Sequence, residues 1–246
     1  RAQLASRKKQ YETAKNHLEM INPDKVSNMI KVGSSELLGK TYDKLNEYSS
    51  AFGSFQNTNY LVKTNIVNKQ FDPKKYRIEI SNLLKSFNNK KEINWNSNII
   101  DNKITPIFLV GFPRSGTTLL DTILSSHPNI VTLEEKPMVA NMKINLGKIA
   151  SVENLEKLDN KKINGLKKVY FEELNKHIKL DDKKQIFIDK LPLNIVDIGL
   201  IIRVFPKAKF IFSLRHPCDC VLSCFMQSFN LNNAMANFLD LEDSAK

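Results

Sequence analysis

Two patterns of apolar residues divide the chain. Up to about residue 70 they recur at helical spacing; from Pro106 onward they gather in short continuous runs. Tyr11–Ile21 carries Ala14, Leu18 and Ile21 at helical spacing, and Pro23 stops it. From about Phe71 to Thr105 the chain turns polar. A short helix is predicted there over Tyr76–Phe87, with a loop rich in Asn and Lys after it. Beyond Pro106, Ile107–Val110, Ile186–Ile188 and Phe210–Leu214 have the unbroken apolar character of buried parallel strands. Helical patterns lie around Gly116–Ser126, Met138–Ala150, Leu166–Ile178 and Asn194–Val204. Strands alternating with helices predict an α/β domain, a parallel sheet with helices on both faces. The expected organisation is a helical segment over 1–70, a linker with a short helix over 71–105 and the α/β domain over 106–246.

Within the helical segment, Leu38, Gly39, Tyr42, Ala51 and Phe55 fall at the offsets of a tetratricopeptide repeat, a helix–turn–helix unit of about 34 residues. The small residues let paired helices approach, and Tyr42 and Phe55 fill the gap between them. A plain helical hairpin satisfies the same positions. Because one repeat cannot bury its own face, the repeat reading expects further repeats before Arg1.

Composition changes this picture little. With 41% hydrophobic and 26% charged residues the chain has the make-up of a soluble globular protein. No apolar run approaches the ~20 residues of a membrane-spanning helix. The first residue is Arg1, not Met, so a native N-terminus further upstream is expected. The net charge of +11 invites a nucleic-acid partner, but the lysines are scattered among Asn and Ile, so attraction of a small polyanion explains it as well. Arginine occurs only at Arg1, Arg7, Arg77, Arg114, Arg203 and Arg215. Cys218, Cys220 and Cys224 lie too close together to staple a fold, which favours a reducing, cytoplasmic compartment. With His216 beside them they match no standard zinc spacing, so no metal is expected.

The chemistry lies where ligands sit in parallel sheets, beyond the carboxyl ends of the strands. Each predicted strand is followed there by polar residues: Arg114–Thr118, Asp189–Lys190 and Arg215–His216. Strand Ile107–Val110 runs into Gly111-Phe-Pro-Arg-Ser-Gly-Thr-Thr118 and then an apolar helix. The spacing G-x4-G followed by Thr-Thr has the shape of a phosphate loop, so the expected sheet is of the P-loop type. Its backbone N–H groups and the helix N-terminus would face one anion. A Walker A loop needs Lys after its second glycine. Thr117 stands there instead, and the cation has moved ahead of the turn to Arg114. An ordinary ATPase or GTPase is thereby disfavoured.

The segment Phe108-Leu-Val-Gly-Phe-Pro-Arg-Ser-Gly-Thr-Thr-Leu-Leu120 resembles the 5′-phosphosulfate loop of sulfotransferases. Phe210-Ile-Phe-Ser-Leu-Arg-His-Pro-Cys-Asp-Cys-Val-Leu-Ser223 resembles their 3′-phosphate motif, an Arg followed eight residues later by Ser. The two stand about a hundred residues apart, in the family's order. The nearest resemblance is to bacterial sulfotransferases with tetratricopeptide repeats and to the tyrosylprotein sulfotransferases, and it runs from near Leu37 to the end of the chain.

This resemblance implies that 3′-phosphoadenosine 5′-phosphosulfate (PAPS) is the co-substrate, and that a sulfonate passes to an acceptor hydroxyl or amine. It implies that Ser115, Gly116, Thr117 and Thr118 hold the 5′-phosphate, that Arg114 neutralises the phosphosulfate, and that Arg215 and Ser223 bind the 3′-phosphate. Lys190, in Asp189-Lys-Leu-Pro192, matches the lysine that contacts the bridging oxygen. Leu191 departs from the family's usual residue there, and His216-Pro217-Cys218 replaces a more usual Asp-Pro-Arg. Glu135 matches a catalytic base in a Glu-Glu pair with Glu134; a solvated pair at a helix start is the plain alternative. His127 also invites the role of base, but lies at the far end of the loop helix, roughly 16 Å from the phosphates.

Two other readings stay open: a nucleotide kinase on the same fold, and a non-enzymatic tetratricopeptide interaction protein with a vestigial nucleotide site. The second draws on the end of the chain at Lys246, 23 residues after Ser223, where sulfotransferases generally continue, so a C-terminally incomplete domain is expected. The acceptor is not legible. Repeats of this kind bind peptides, which points to a protein or peptide, but a glycan or small molecule fits equally.

Overall fold

The computed structural model describes residues 1–90, 95, 105–179 and 186–246. The Asn- and Lys-rich loop expected after Phe87 lies largely outside them. In chain order the helices before the sheet are α1 (Ala2–Arg7), α2 (Tyr11–Glu19), α3 (Asn28–Lys44), α4 (Tyr48–Thr64) and α5 (Pro73–Asn88). Then follow β1 (Ile107–Gly111), α6 (Thr117–Ser125), β2 (Ile130–Glu134), α7 (Met138–Leu146), α8 (Val152–Glu156) and α9 (Asn160–Asn175). The chain continues with β3 (Ile186–Lys190), a 3₁₀ turn (Pro192–Asp197), α10 (Ile198–Val204) and β4 (Lys209–Ser213). It closes with α11 (Pro217–Phe225), a 3₁₀ turn (Met235–Leu239) and α12 (Leu241–Ala245). These elements fall into two compact units, Arg1–Arg77 with Pro217–Lys246, and Ile78–His216.

Among the described residues of the second unit, four strands form a parallel sheet in the order β2-β3-β1-β4, as the alternation of strands and helices predicts. Side chains alternate across the sheet. Phe108, Val110 and Phe187 enter one core with Met138 and Met142 of α7, Ile163, Leu166 and Tyr170 of α9, and Leu200, Ile201 and Val204 of α10. Leu109 and Ile188, which lie outside that core, are buried as well. β1 and the first three residues of β3 are therefore continuously apolar rather than alternating, because both their faces are covered. Phe87 of α5 sits against the bare Gly199 of α10: a Cβ there would stand 2.2 Å from the ring.

In the first unit, α3 and α4 form a hairpin whose turn places Asn46 in the left-handed region (φ 63°). Gly39 receives the ring of Phe55, to which an added Cβ would approach within 3.0 Å. Ala51 and Phe55 form a small core with Phe225 of α11, and Tyr42, Met226 and Leu241 pack on it. The C-terminal stretch is held to these helices by polar bonds too. Asn59 Nδ2 donates to the carbonyl of Phe225 (3.0 Å), Ser228 Oγ to Glu36 (2.8 Å), and Arg77 pairs with Asp243. Among the described residues no helix is long and apolar enough to cross a membrane.

Candidate active site at the carboxyl edge of the sheet

The loop after β1 is shaped by two glycines. Gly111 is in register with Ser213 of β4, and an added Cβ would lie 2.7 Å from Ser115 Oγ and 2.8 Å from the Ser213 carbonyl. The loop thus folds back onto the strand end that a side chain would fill. Ser115 N donates to the Phe112 carbonyl (3.1 Å), and Arg114 (φ 67°) and Gly116 (φ 96°) both take left-handed backbone. An arginine in that region is uncommon and is held there by its surroundings. Helix α6 opens at Thr117 with Gly116 as its N-cap, which offers no side chain to the first N–H groups. Those donors and the positive end of the helix dipole suit an anion. So does Ser115 Oγ, which is buried and has no hydrogen-bond partner among the described residues. The residues present fit a phosphate group.

β4 ties this loop down from the side. Ser213 Oγ donates to the Ser115 carbonyl (3.0 Å), and Arg215 Nη1 donates to the Arg114 carbonyl (3.0 Å). Arg114 and Arg215 are both exposed. Ser223 lies on α11, in the first compact unit.

Next to the loop stands a cluster of charge. Lys190, the last residue of β3, is fully buried. Its ammonium donates to Glu134 Oε1 and to Glu135 Oε1 (3.2 Å), and lies 3.5 Å from Thr118 Oγ1. The parallel register sets Glu134 directly opposite Lys190, and the Glu135 N–H donates to the Lys190 carbonyl (2.8 Å). Glu135 itself sits at φ 52°, a second non-glycine residue forced into left-handed backbone at this edge. The hydrogen bond from Lys190 holds the Glu134 carboxyl below its ordinary range, with Thr118 adding to the effect. Both carboxylates are about half exposed. The arrangement can present a desolvated cation and two carboxylates to a group seated on the loop.

Of the residues singled out in the sequence, Thr118, Glu134, Glu135 and Lys190 come together, and Arg114, Ser115, Gly116 and Thr117 form the adjoining turn. His127 is exposed past the opposite end of α6, where its Nδ1 accepts from the Asn129 N–H (3.2 Å). Cys218 is exposed, and Cys220 and Cys224 are buried. Sequence reasoning missed Ser213, for which no signal exists. It also missed the role of Asp189, which is buried with its Oδ2 accepting from the Tyr170 hydroxyl (2.8 Å). There the signal was present: an acid interrupting an apolar strand. Burial pushes the Asp189 carboxyl up to about 7 and the Tyr170 hydroxyl well above its ordinary value.

Comparison with known proteins adds to this geometry. A family model described as the sulfotransferase family matches residues 106–245. A protein of Aquifex aeolicus (strain VF5) described as uncharacterized is 29% identical over 229 residues, which is 89% of this chain. The chain spans 29% of that protein's length. The crystal structure of sulfotransferase STF9 from Mycobacterium avium aligns at 15% identity over 69% of this chain and 54% of its own, with a TM-score of 0.32.

Proposed function

Because the chain belongs to the sulfotransferase family, we propose that it moves a sulfonate group from PAPS to an acceptor hydroxyl or amine, with a peptide or a glycan as the acceptor classes. One observation carries the reading. The buried ammonium of Lys190 is held by Glu134 and Glu135 beside Thr118, at the opening turn of the phosphate-loop helix.

When bound, the nucleotide supplies a sulfonate activated by its 5′-phosphate. Ser115, Gly116, Thr117 and Thr118 hold that phosphate through the N–H groups at the start of α6 and their hydroxyls. Arg114 neutralises the phosphosulfate, and Arg215 with Ser223 takes the 3′-phosphate. Lys190 stabilises the charge left on the phosphate oxygen as the bond from sulfur to that oxygen breaks. Glu135 takes the proton of the acceptor as the acceptor's oxygen or nitrogen bonds to sulfur. Glu134 is a weakened base, since its bond to Lys190 holds its carboxyl low. Most of the rate enhancement then comes from positioning and from charge placed in advance.

Thermal unfolding with the desulfonated product PAP, against ATP with magnesium and against AMP, tests this. PAP at 100 times its dissociation constant adds about 2.7 kcal/mol to the folded state. We expect stabilisation by PAP, lost in Arg215→Ala. Stabilisation by ATP–magnesium without a PAP response would replace the reading with a nucleotide kinase, which the threonine at position 117 disfavours.

A further inference from the structure

Directly behind Lys190 lies a polar pair for which the reaction has no use. Neighbours on a strand point to opposite faces, so Lys190 serves the site while Asp189 enters the aromatic core. There Tyr170 packs edge-on against Phe205 (ring centroids 5.0 Å) and Phe108 (6.1 Å), and its hydroxyl reaches Asp189 Oδ2. Asp189 Oδ1 is buried with no hydrogen-bond partner among the described residues. A carboxyl and a hydroxyl satisfied so sparsely are a poor way to stabilise a core, since two apolar groups of the same shape do as well or better. What the pair supplies is direction: a bond from helix α9 fixes the end of β3 in one position. That end carries Lys190, and its carbonyl also holds the N–H of Glu135.

We propose that Asp189 and Tyr170 are positioning residues that fix the end of β3 and thereby set the Lys190 ammonium against Glu134 and Glu135. The inference deepens the sulfotransferase reading and rests on it for its consequence in nucleotide binding. Its structural core is independent of that reading. The paired strands transmit the constraint, because Asp189 is in register with Phe108 of β1 and Leu133 of β2, and Lys190 with Leu109 and Glu134.

The test uses the full chain with carbon-13-labelled glutamate carboxyls. The Glu134 titration midpoint is read by NMR, and PAP affinity by calorimetry. Lys190→Met sets the scale by releasing the Glu134 midpoint upward to its ordinary range. The informative variant is the double substitution Tyr170→Phe with Asp189→Leu, which leaves no polar group orphaned and keeps the core filled. We expect it to fold with unchanged or raised thermal stability. We also expect an upward move of the Glu134 midpoint by about half a pH unit or more and a several-fold loss of PAP affinity. Asp189→Asn keeps an acceptor for the Tyr170 hydroxyl and should restore both. A folded double variant with the wild-type Glu134 midpoint overturns the inference, because a merely structural pair would leave that midpoint in place. If wild-type protein does not bind PAP, the donor reading fails, and the Glu134 midpoint still decides the positioning role.

Discussion

Gly111 and Gly116 bracket the loop after β1 for different reasons. Gly111 is tight: the space of its missing side chain is occupied by Ser115 Oγ and the Ser213 carbonyl. Gly116 is open, with nothing within 4 Å of an added Cβ, but its φ of 96° is strained for any side chain. Gly111→Ala should therefore push the loop off β4, costing about 1–3 kcal/mol and abolishing the thermal shift with PAP. Gly116→Ala should cost about 1–2 kcal/mol through backbone strain alone, and Gly116→Asn less. Calorimetric unfolding with and without PAP checks both; equal effects of the two alanines would contradict the distinction. The spacing of the glycines was legible in the sequence, because a tight turn needs residues without side chains at fixed offsets. The partners of Lys190 were not. Glu134 meets it only because β2 lies beside β3 in one register, across more than fifty residues of chain.

At the scale of elements, periodicity located most helices and three of the strands to within a few residues. β3 runs two residues past its apolar stretch to include Asp189 and Lys190. Pairing with strands on both sides holds them in extended form, and a hydrophobicity pattern does not register that. α2, α6, α7 and α10 begin or end close to the bounds that their apolar patterns set, while α9 starts earlier than its apolar run, at an Asp159 cap that accepts from the Lys162 N–H. α4 shows how an element can be tied to a distant one. Its buried Asn59 satisfies the Phe225 carbonyl at the end of α11. Asn59→Ala should leave that carbonyl unpaired and cost about 1–3 kcal/mol. It should also raise the rate of proteolytic cleavage after Phe225. Unaltered stability and cleavage would show that the apolar contacts of Phe225 suffice.

For the whole molecule, the buried Asp189 makes stability depend on pH. In the folded chain it binds its proton more tightly than in the unfolded chain, at about 7 against 3.8. Its contribution is fully present below 3.8 and is lost as pH rises through about 7, a change on the order of 4 kcal/mol. Glu134 and Asp243, held low by Lys190 and Arg77, act in the opposite sense: their contributions are present above the ordinary carboxylate range and fade as pH falls. Comparing wild type with Asp189→Asn from pH 4 to 8 isolates the first effect. The variant should gain on wild type as pH rises, and a constant difference would show that burial does not raise the Asp189 carboxyl in the folded chain. The sequence alone determined the parallel α/β class and the spacing of Gly111 and Gly116 after β1, because these follow from local spacing and residue chemistry. Tertiary structure decided the strand order β2-β3-β1-β4 and the grouping of residues 217–246 with the N-terminal helices. It also decided the meeting of Lys190 with two carboxylates. Each of these depends on contacts between residues far apart in the chain, whose energies no local pattern encodes.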